Sequence, residues 1–307
     1  FDTRYGGQGM AYFLFSDILG DHKLQLGTEM VVDLQRSDYF LLYRLLPYKI
    51  DWNFIFYHLA YQYRKYSSNF STNDITLYQN IGSSISASKP LSRFRRIDGG
   101  VDINHIIKSN VTTIYDDYIP YDEEISHISS FTTFIPSIKY TWDNALWSYT
   151  HPVEGFRYFL KYRTSPGINE KSLTFHSATM DGRKYFRLFN GVSLASRFFA
   201  GTNWGSDSQK FRLGGVPWLF SSNRERFYGG ENQDLSLEEL YFSEYVMPLR
   251  GSQVSNKYGD NVLLVNIELR LPFLIYYFPA LKYSCRKASI SLMLFCQSLC
   301  FLFDEVS

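Results

Sequence analysis

The six histidines, His22, His58, His105, His127, His151 and His176, stand apart in the sequence. None belongs to an HExxH motif or to a His/Cys group with ligand spacing, so a zinc centre is not indicated. A GxSxG elbow is missing, and "RIDGG" and "RLGG" are turn material rather than loops that cradle phosphate. A barrel phospholipase needs a serine and a histidine converging on one wall, and nothing in the spacing suggests that pair. Asp116, Asp117, Asp122, Glu123 and Glu124 cluster in "YDDYIPYDEEISH", where a solvated acidic loop is favoured over a Ca²⁺ loop. Cys285, Cys296 and Cys300 are odd in number and lack CxxC spacing, so they read as small apolar fillers. The expectation is neither an enzyme nor a cofactor protein.

One arginine invites a different chemistry. In "YVMPLRGSQ", Tyr245 to Gln253, Arg250 stands beside Gly251 at the end of a long polar connection, just ahead of the alternation "VLLVNIELRLP". A guanidinium can grip a carboxylate through two parallel hydrogen bonds, so it can fix a loop against a wall. The glycine lets the backbone approach closely or adopt positive φ. Taken alone, an Arg-Gly pair at a loop end is usually a solvated turn. What Arg250 does depends on the elements around it.

Those elements are strands. In "NFIFYHLAYQYRKY" the odd positions Ile55, Tyr57, Leu59, Tyr61 and Tyr63 are apolar or aromatic, while His58, Gln62 and Arg64 are polar. "VDINHIIK" sets Val101, Ile103, His105 and Ile107 against Asp102, Asn104 and Lys108, and the later strand sets Val265, Ile267 and Leu269 against Asn266, Glu268 and Arg270. Strands are predicted at about 9–19, 22–35, 37–47, 51–66, 75–90, 93–110, 129–143, 154–164, 172–189, 192–205, 260–275 and 289–304. Many exceed the usual strand length and match the roughly 9–11 residues that a tilted strand needs inside a bilayer. "LGDH", "WDNA" and Asn190-Gly191 read as hairpin turns, whereas Asp181-Gly182 reads as part of one long strand. Tyr115 to His127 and Ser206 to Asp260 read as long outer loops. "ASISLMLFCQSLCFLF", Ala288 to Phe303, is too short and too interrupted for a membrane helix and reads as strand.

Aromatic residues make up 18% of the chain, the hydrophobic fraction is 45%, and net charge is +1. Such aromatic content on half-polar segments suits a sheet with one oily and one wet face, of which transmembrane barrels with aromatic girdles are the extreme case. No basic run is longer than "RFRR" at Arg93 to Arg96, so nucleic acid is not an expected partner. The chain opens without an initiating Met or an export signal, as expected of a piece of something longer.

Taken in order, "LSRFRRIDGG", "KFRLGG", the loop ending "MPLRG", "NIELRLPF" and "CFLFDEVS" resemble the C-terminal barrel of the BamA-type superfamily, also called bacterial surface antigens. The opening "YGGQGMAYFLFSDILGDHKL" resembles members in which this barrel follows a TolB-like propeller. The resemblance implies an all-β fold, a transmembrane antiparallel β-barrel of sixteen strands, whose sixth outer loop folds back and docks an Arg-Gly tip on acidic residues of the inner wall. Carried onto this chain, the tip is Leu249, Arg250 and Gly251, and the lumen-wall acceptors are Asp304 and Glu268. Ser252 departs from the aromatic residue common in the family at that position. Ten strands precede the long loop where the family requires an odd number, and the chain stops short of the last strands, so a full sixteen-stranded closure is not expected. Residues 1–307 read as a single barrel domain, a fragment of a longer chain. The implied role is insertion into, or translocation across, the bacterial outer membrane. Implied partners are outer-membrane lipid, client polypeptides and an upstream propeller or periplasmic domain. A passive porin or surface receptor, and a soluble secreted β-sandwich binding protein, are the alternatives.

Overall fold

The computed structural model describes residues 8–31, 36–65, 73–116, 119–148, 151–168, 172–189, 192–214, 242–246, 257–271 and 292–303. Long strands follow wherever apolar and polar residues alternate: β1 Gln8–Ser16, β2 His22–Val31, β3 Asp38–Leu45, β4 Asp51–Lys65, β5 Asn73–Ser92, β6 Arg95–Asp116 and β7 Ile119–Asp143. The short β8 Leu146–Trp147 precedes β9 Pro152–Pro166, β10 Thr174–Phe189 and β11 Val192–Trp204. Three short strands, β12 Phe211–Leu213, β13 Glu244–Val246 and β14 Lys257–Gly259, then precede β15 Asn261–Leu271 and β16 Leu292–Phe303. The long strands pair in the order β1-β2-β3-β4-β5-β6-β7-β9-β10-β11-β15-β16, with β8 paired to β9, while β12 lies between β13 and β14 in a separate small sheet. The registers resolved along the large sheet are antiparallel. The segment expected as strand rather than membrane helix is β16, and no helix among the described residues is long and apolar enough to cross a membrane.

Turn chemistry fixes the first hairpin. Gly20 takes φ 75°, and Asp17 holds the turn by accepting from the Gly20 amide through its carbonyl and from the His22 amide through Oδ1. Asp181-Gly182 lies inside β10, as expected, and Asn190-Gly191 lies outside the described residues. "WDNA" is less simple than a hairpin: Asn144 donates to the Phe156 carbonyl and β8 intervenes before β9. The loop expected over Tyr115 to His127 is a correction, because β6 runs to Asp116 and β7 starts at Ile119. Ile119, Tyr121 and Ile125 lend that stretch strand propensity, and its acidic residues do not stop the hairpin from extending.

The chain divides into two compact units, one of Phe1–Pro90, Asp98–Ser137 and Thr164–Thr174, the other of Leu91–Ile97, Ile138–Arg163 and Phe175–Ser307. In the first, Tyr57 lies over Gly82, where a Cβ would fall 2.3 Å from the ring, and its hydroxyl donates to Asn104. This reverses the face expected for β4. Trp52 and Phe54 stack on the other face beside exposed Phe56, and Tyr57 joins buried Asn80 and Asn104. The segment "DWNFIFYH" carries apolar residues at both parities, so the polar neighbours, which satisfy the tyrosine hydroxyl, decide its direction. In β6 the expected faces hold: Ile103 is exposed and Asn104 is buried.

In the second unit the odd residues of β15 face out and the even ones in, as expected, with Ile267 49% exposed against Asn266 at 2% and Glu268 at 8%. At this end of β15 the enclosed residues are polar, whereas Val262 and Leu264 are enclosed at the other end. A soluble sandwich packs apolar residues on its enclosed face along the whole strand.

Candidate functional site

The registers of the second unit stack three strands side by side. Asp181 of β10 lies beside Phe199 of β11, which faces Leu264 of β15; the next buried row is Arg183, Arg197 and Asn266, and the next Tyr185, Ala195 and Glu268. One end of this enclosed face is apolar and the other is charged.

Two short strands of the connection between β11 and β15, β12 and β13, pack on the apolar end. Phe211 and Leu213 of β12 and Val246 of β13 form a single buried cluster with Phe199, Val262 and Leu264. The seat is a glycine: a Cβ on Gly201 would lie 2.5 Å from Phe211 Cζ, so only the bare backbone admits the ring. Polar contacts hold the edges of the small sheet. Lys210 Nζ donates to Asp260 Oδ2 at 2.8 Å and Ser208 Oγ to Oδ1 at 2.6 Å, which closes the base of the connection. Arg163 of β9 reaches the Phe242 carbonyl at 3.3 Å and lies 3.5 Å from Glu244 Oε2. Arg212, almost fully buried, donates to Ser243 Oγ and lies over the Tyr258 ring.

Below the seat, Asp181 is chelated by two arginines. Arg183 Nε and Nη2 donate to its two oxygens at 2.8 and 3.0 Å, and Arg197 Nη2 and Nε donate to Oδ2 at 2.7 and 3.0 Å. Arg183 and Arg197 are directly opposed across the ladder, so the carboxylate separates two like charges. One turn of the alternation further, Arg270 donates Nη2 and Nε to Glu268 Oε2 at 3.0 and 3.2 Å and covers the Tyr185 ring.

Of the residues expected from the sequence, Glu268 is on this face and ion-paired with Arg270; Leu249, Arg250, Gly251 and Asp304 lie outside the described residues. Asp181, Arg183, Arg197, Gly201 and Phe211 were not legible as a set. The parity of β10 and β11 puts Asp181, Arg183 and Arg197 on one face, but the seat pairs residues that only the folded connection brings together. Among the described residues no cluster of His, Cys, Asp and Glu has the geometry to hold a metal ion.

His151 sits just ahead of β9, buried near the Arg270 end of this face. Burial, and then the Arg270 charge, hold its imidazole below the ordinary histidine range. The unfolded chain therefore takes up this proton first. Stability is expected to be whole above about pH 6.5 and to fall as pH drops from there to the lowered folded value. Urea midpoints measured across that window should lose this slope in His151→Gln.

Neither family models nor curated proteins give a match to this chain. The fold is that of a BamA-type barrel: the chain is similar to the crystal structure of BamA from Haemophilus ducreyi lacking POTRA domains 1-3, with TM-score 0.52 at 13% identity. The match covers 86% of this chain and 50% of that one, so the chain spans about half its length. At that identity the likeness concerns fold.

Proposed function

We propose that this chain is a transmembrane β-barrel of the bacterial outer membrane that inserts or translocates client polypeptides. Its enclosed face is the lumen, and the β11–β15 connection is the plug. It carries no enzymatic activity. The observation that carries this reading is the inversion of burial, with Leu160, Phe186, Phe198 and Ile267 exposed where Asp181, Arg212 and Glu268 are enclosed. Two aromatic belts on the outer face support it. Tyr162, His176 and Trp204 stack at one level and Trp142, Phe156 and Tyr158 at another. Phe156 and Tyr162 lie six residues apart on β9, which at ~3.3 Å per residue is ~20 Å along the strand and, at a tilt of ~40°, ~15 Å along the membrane normal, so the two groups mark separate levels of the wall. The seated small sheet favours a gated lumen over an open porin. Single-channel recordings of the full-length protein in planar bilayers test this, and a high, steady conductance would favour the porin.

Within this reading Arg250 anchors the plug. Both Arg270 hydrogen bonds end on Oε2 of Glu268, so Oε1 is the atom offered to a second guanidinium. A charge-assisted hydrogen bond contributes about 1.5–3 kcal/mol. Arg250→Ala is expected to lose about that much and to expose the connection to protease. A variant as well protected as the wild type would remove Arg250 from this role.

A further inference from the structure

The geometry points to the strand-end edge of the second unit around the β5–β6 turn as a binding surface for anionic phospholipid headgroups, an inference that rests on the membrane reading above. The turn Leu91–Arg96 is exposed at every position, with Leu91 and Phe94 each half-exposed and Phe94 between Arg93 and Arg95. The Asp143 amide donates to the Phe94 carbonyl at 2.8 Å, which ties this turn to the end of β7. Antiparallel pairing brings the β8 region and the end of β10 to the same edge, where Trp147 and Phe189 are about 60% exposed.

Among the described residues, charge at this edge is unbalanced. Asp143 lies 3.4 Å from Arg157 and Glu154 lies 3.5 Å from Arg187, so both acids face an arginine of their own. Arg95 Cζ lies 4.1 Å from the Trp142 ring centroid, and Lys184 reaches out over Phe156 and Phe186. Cations that rest on belt aromatics, with apolar side chains beside them, match a leaflet in which phosphates lie directly above acyl chains. A folded acidic protein supplies the charge without the apolar layer beside it. The exposed edge is continuous with the outward apolar face through Phe156 and Tyr158, which places it at headgroup level.

The test uses the full-length protein at equilibrium in urea, in phosphatidylcholine vesicles and in vesicles that also contain phosphatidylglycerol. The wild type is expected to fold in both and to be stabilised by phosphatidylglycerol at low salt, with the gain lost at high salt. Arg93→Gln/Arg95→Gln should fold normally in phosphatidylcholine and lose about fivefold of the phosphatidylglycerol preference for each arginine removed. Phe94→Ser should weaken folding in both vesicles and leave the preference intact. An unchanged preference in the double variant, or binding of an acidic polypeptide with no phosphatidylglycerol effect, overturns the inference. A wild type that folds in neither vesicle overturns the membrane reading instead.

Discussion

Gly201→Ala is expected to unseat Phe211 and to open the β11–β15 connection to protease while the long strands stay paired. The added methyl would lie 2.5 Å from Cζ and about as close to both Cε atoms, at 3.0 and 3.1 Å. A ring at a surface would swing aside. Phe211 is fully buried among Leu213, Val246, Val262 and Leu264, so any move that relieves the clash breaks the packing of β12 on the sheet. Phe211→Ala removes the same packing from the other side, and truncating a buried phenylalanine costs about 3–5 kcal/mol. The two changes act on one contact, so the double variant Gly201→Ala/Phe211→Ala should be far less destabilised than the sum, because the methyl then occupies space the ring has left. Urea midpoints give the coupling, and mass mapping of protease cuts shows whether the connection is the part released. Strict additivity would mean that Gly201 is not the seat.

The difference between what the sequence announces and what it hides follows from where each interaction lies along the chain. Period-two alternation is local, and β15 can be read residue by residue because Ile267 and Glu268 differ sharply in polarity. The same rule misassigns β4, since Phe54, Ile55, Phe56 and Tyr57 offer apolar groups to both faces; direction is settled by Asn80 and Asn104 on other strands. The acidic stretch near Asp122 reads as a loop by composition, yet strand pairing carries the hairpin through it. Three-residue strands such as β12 and β13 leave no periodic trace at all. Their position depends on Gly201 and Val262, brought together from opposite ends of the connection. The charged end of the site was half legible. Glu268 stands out in its strand, and Asp181 in "ATMDGRKY" reads as part of a long strand, but its two arginine partners include Arg197 on the next strand, which the local sequence does not reveal.

Asp181→Asn is expected to destabilise the second unit by about 3 kcal/mol, the lower end of the range for breaking a buried ion pair. The lower end applies because the Arg183 side chain keeps 39% of its surface exposed, so solvent moderates its charge, whereas Arg197 at 14% and Asp181 at 3% are enclosed. The cost does not come from the lost hydrogen bonds alone. Arg183 and Arg197 are register partners, and without the carboxylate two cations confront each other across the ladder. That source predicts a specific rescue. Removing one arginine in the same chain, as in Asp181→Asn/Arg183→Gln, eliminates the repulsion and should recover a large part of the loss, although Arg183→Gln alone is destabilising. Replacing all three groups by apolar residues of similar volume should cost less than the single change, since no unpaired charge then remains enclosed. Arg197 also lies over the Phe199 ring, 5.4 Å from its centroid, and Phe199 belongs to the seat of Phe211. Disorder at the charged end is thus expected to reach the β11–β15 connection, and Asp181→Asn should show protease cuts there that Asp181→Asn/Arg183→Gln does not. Equal cutting in both variants would separate the carboxylate from the connection and leave it a brace between β10 and β11.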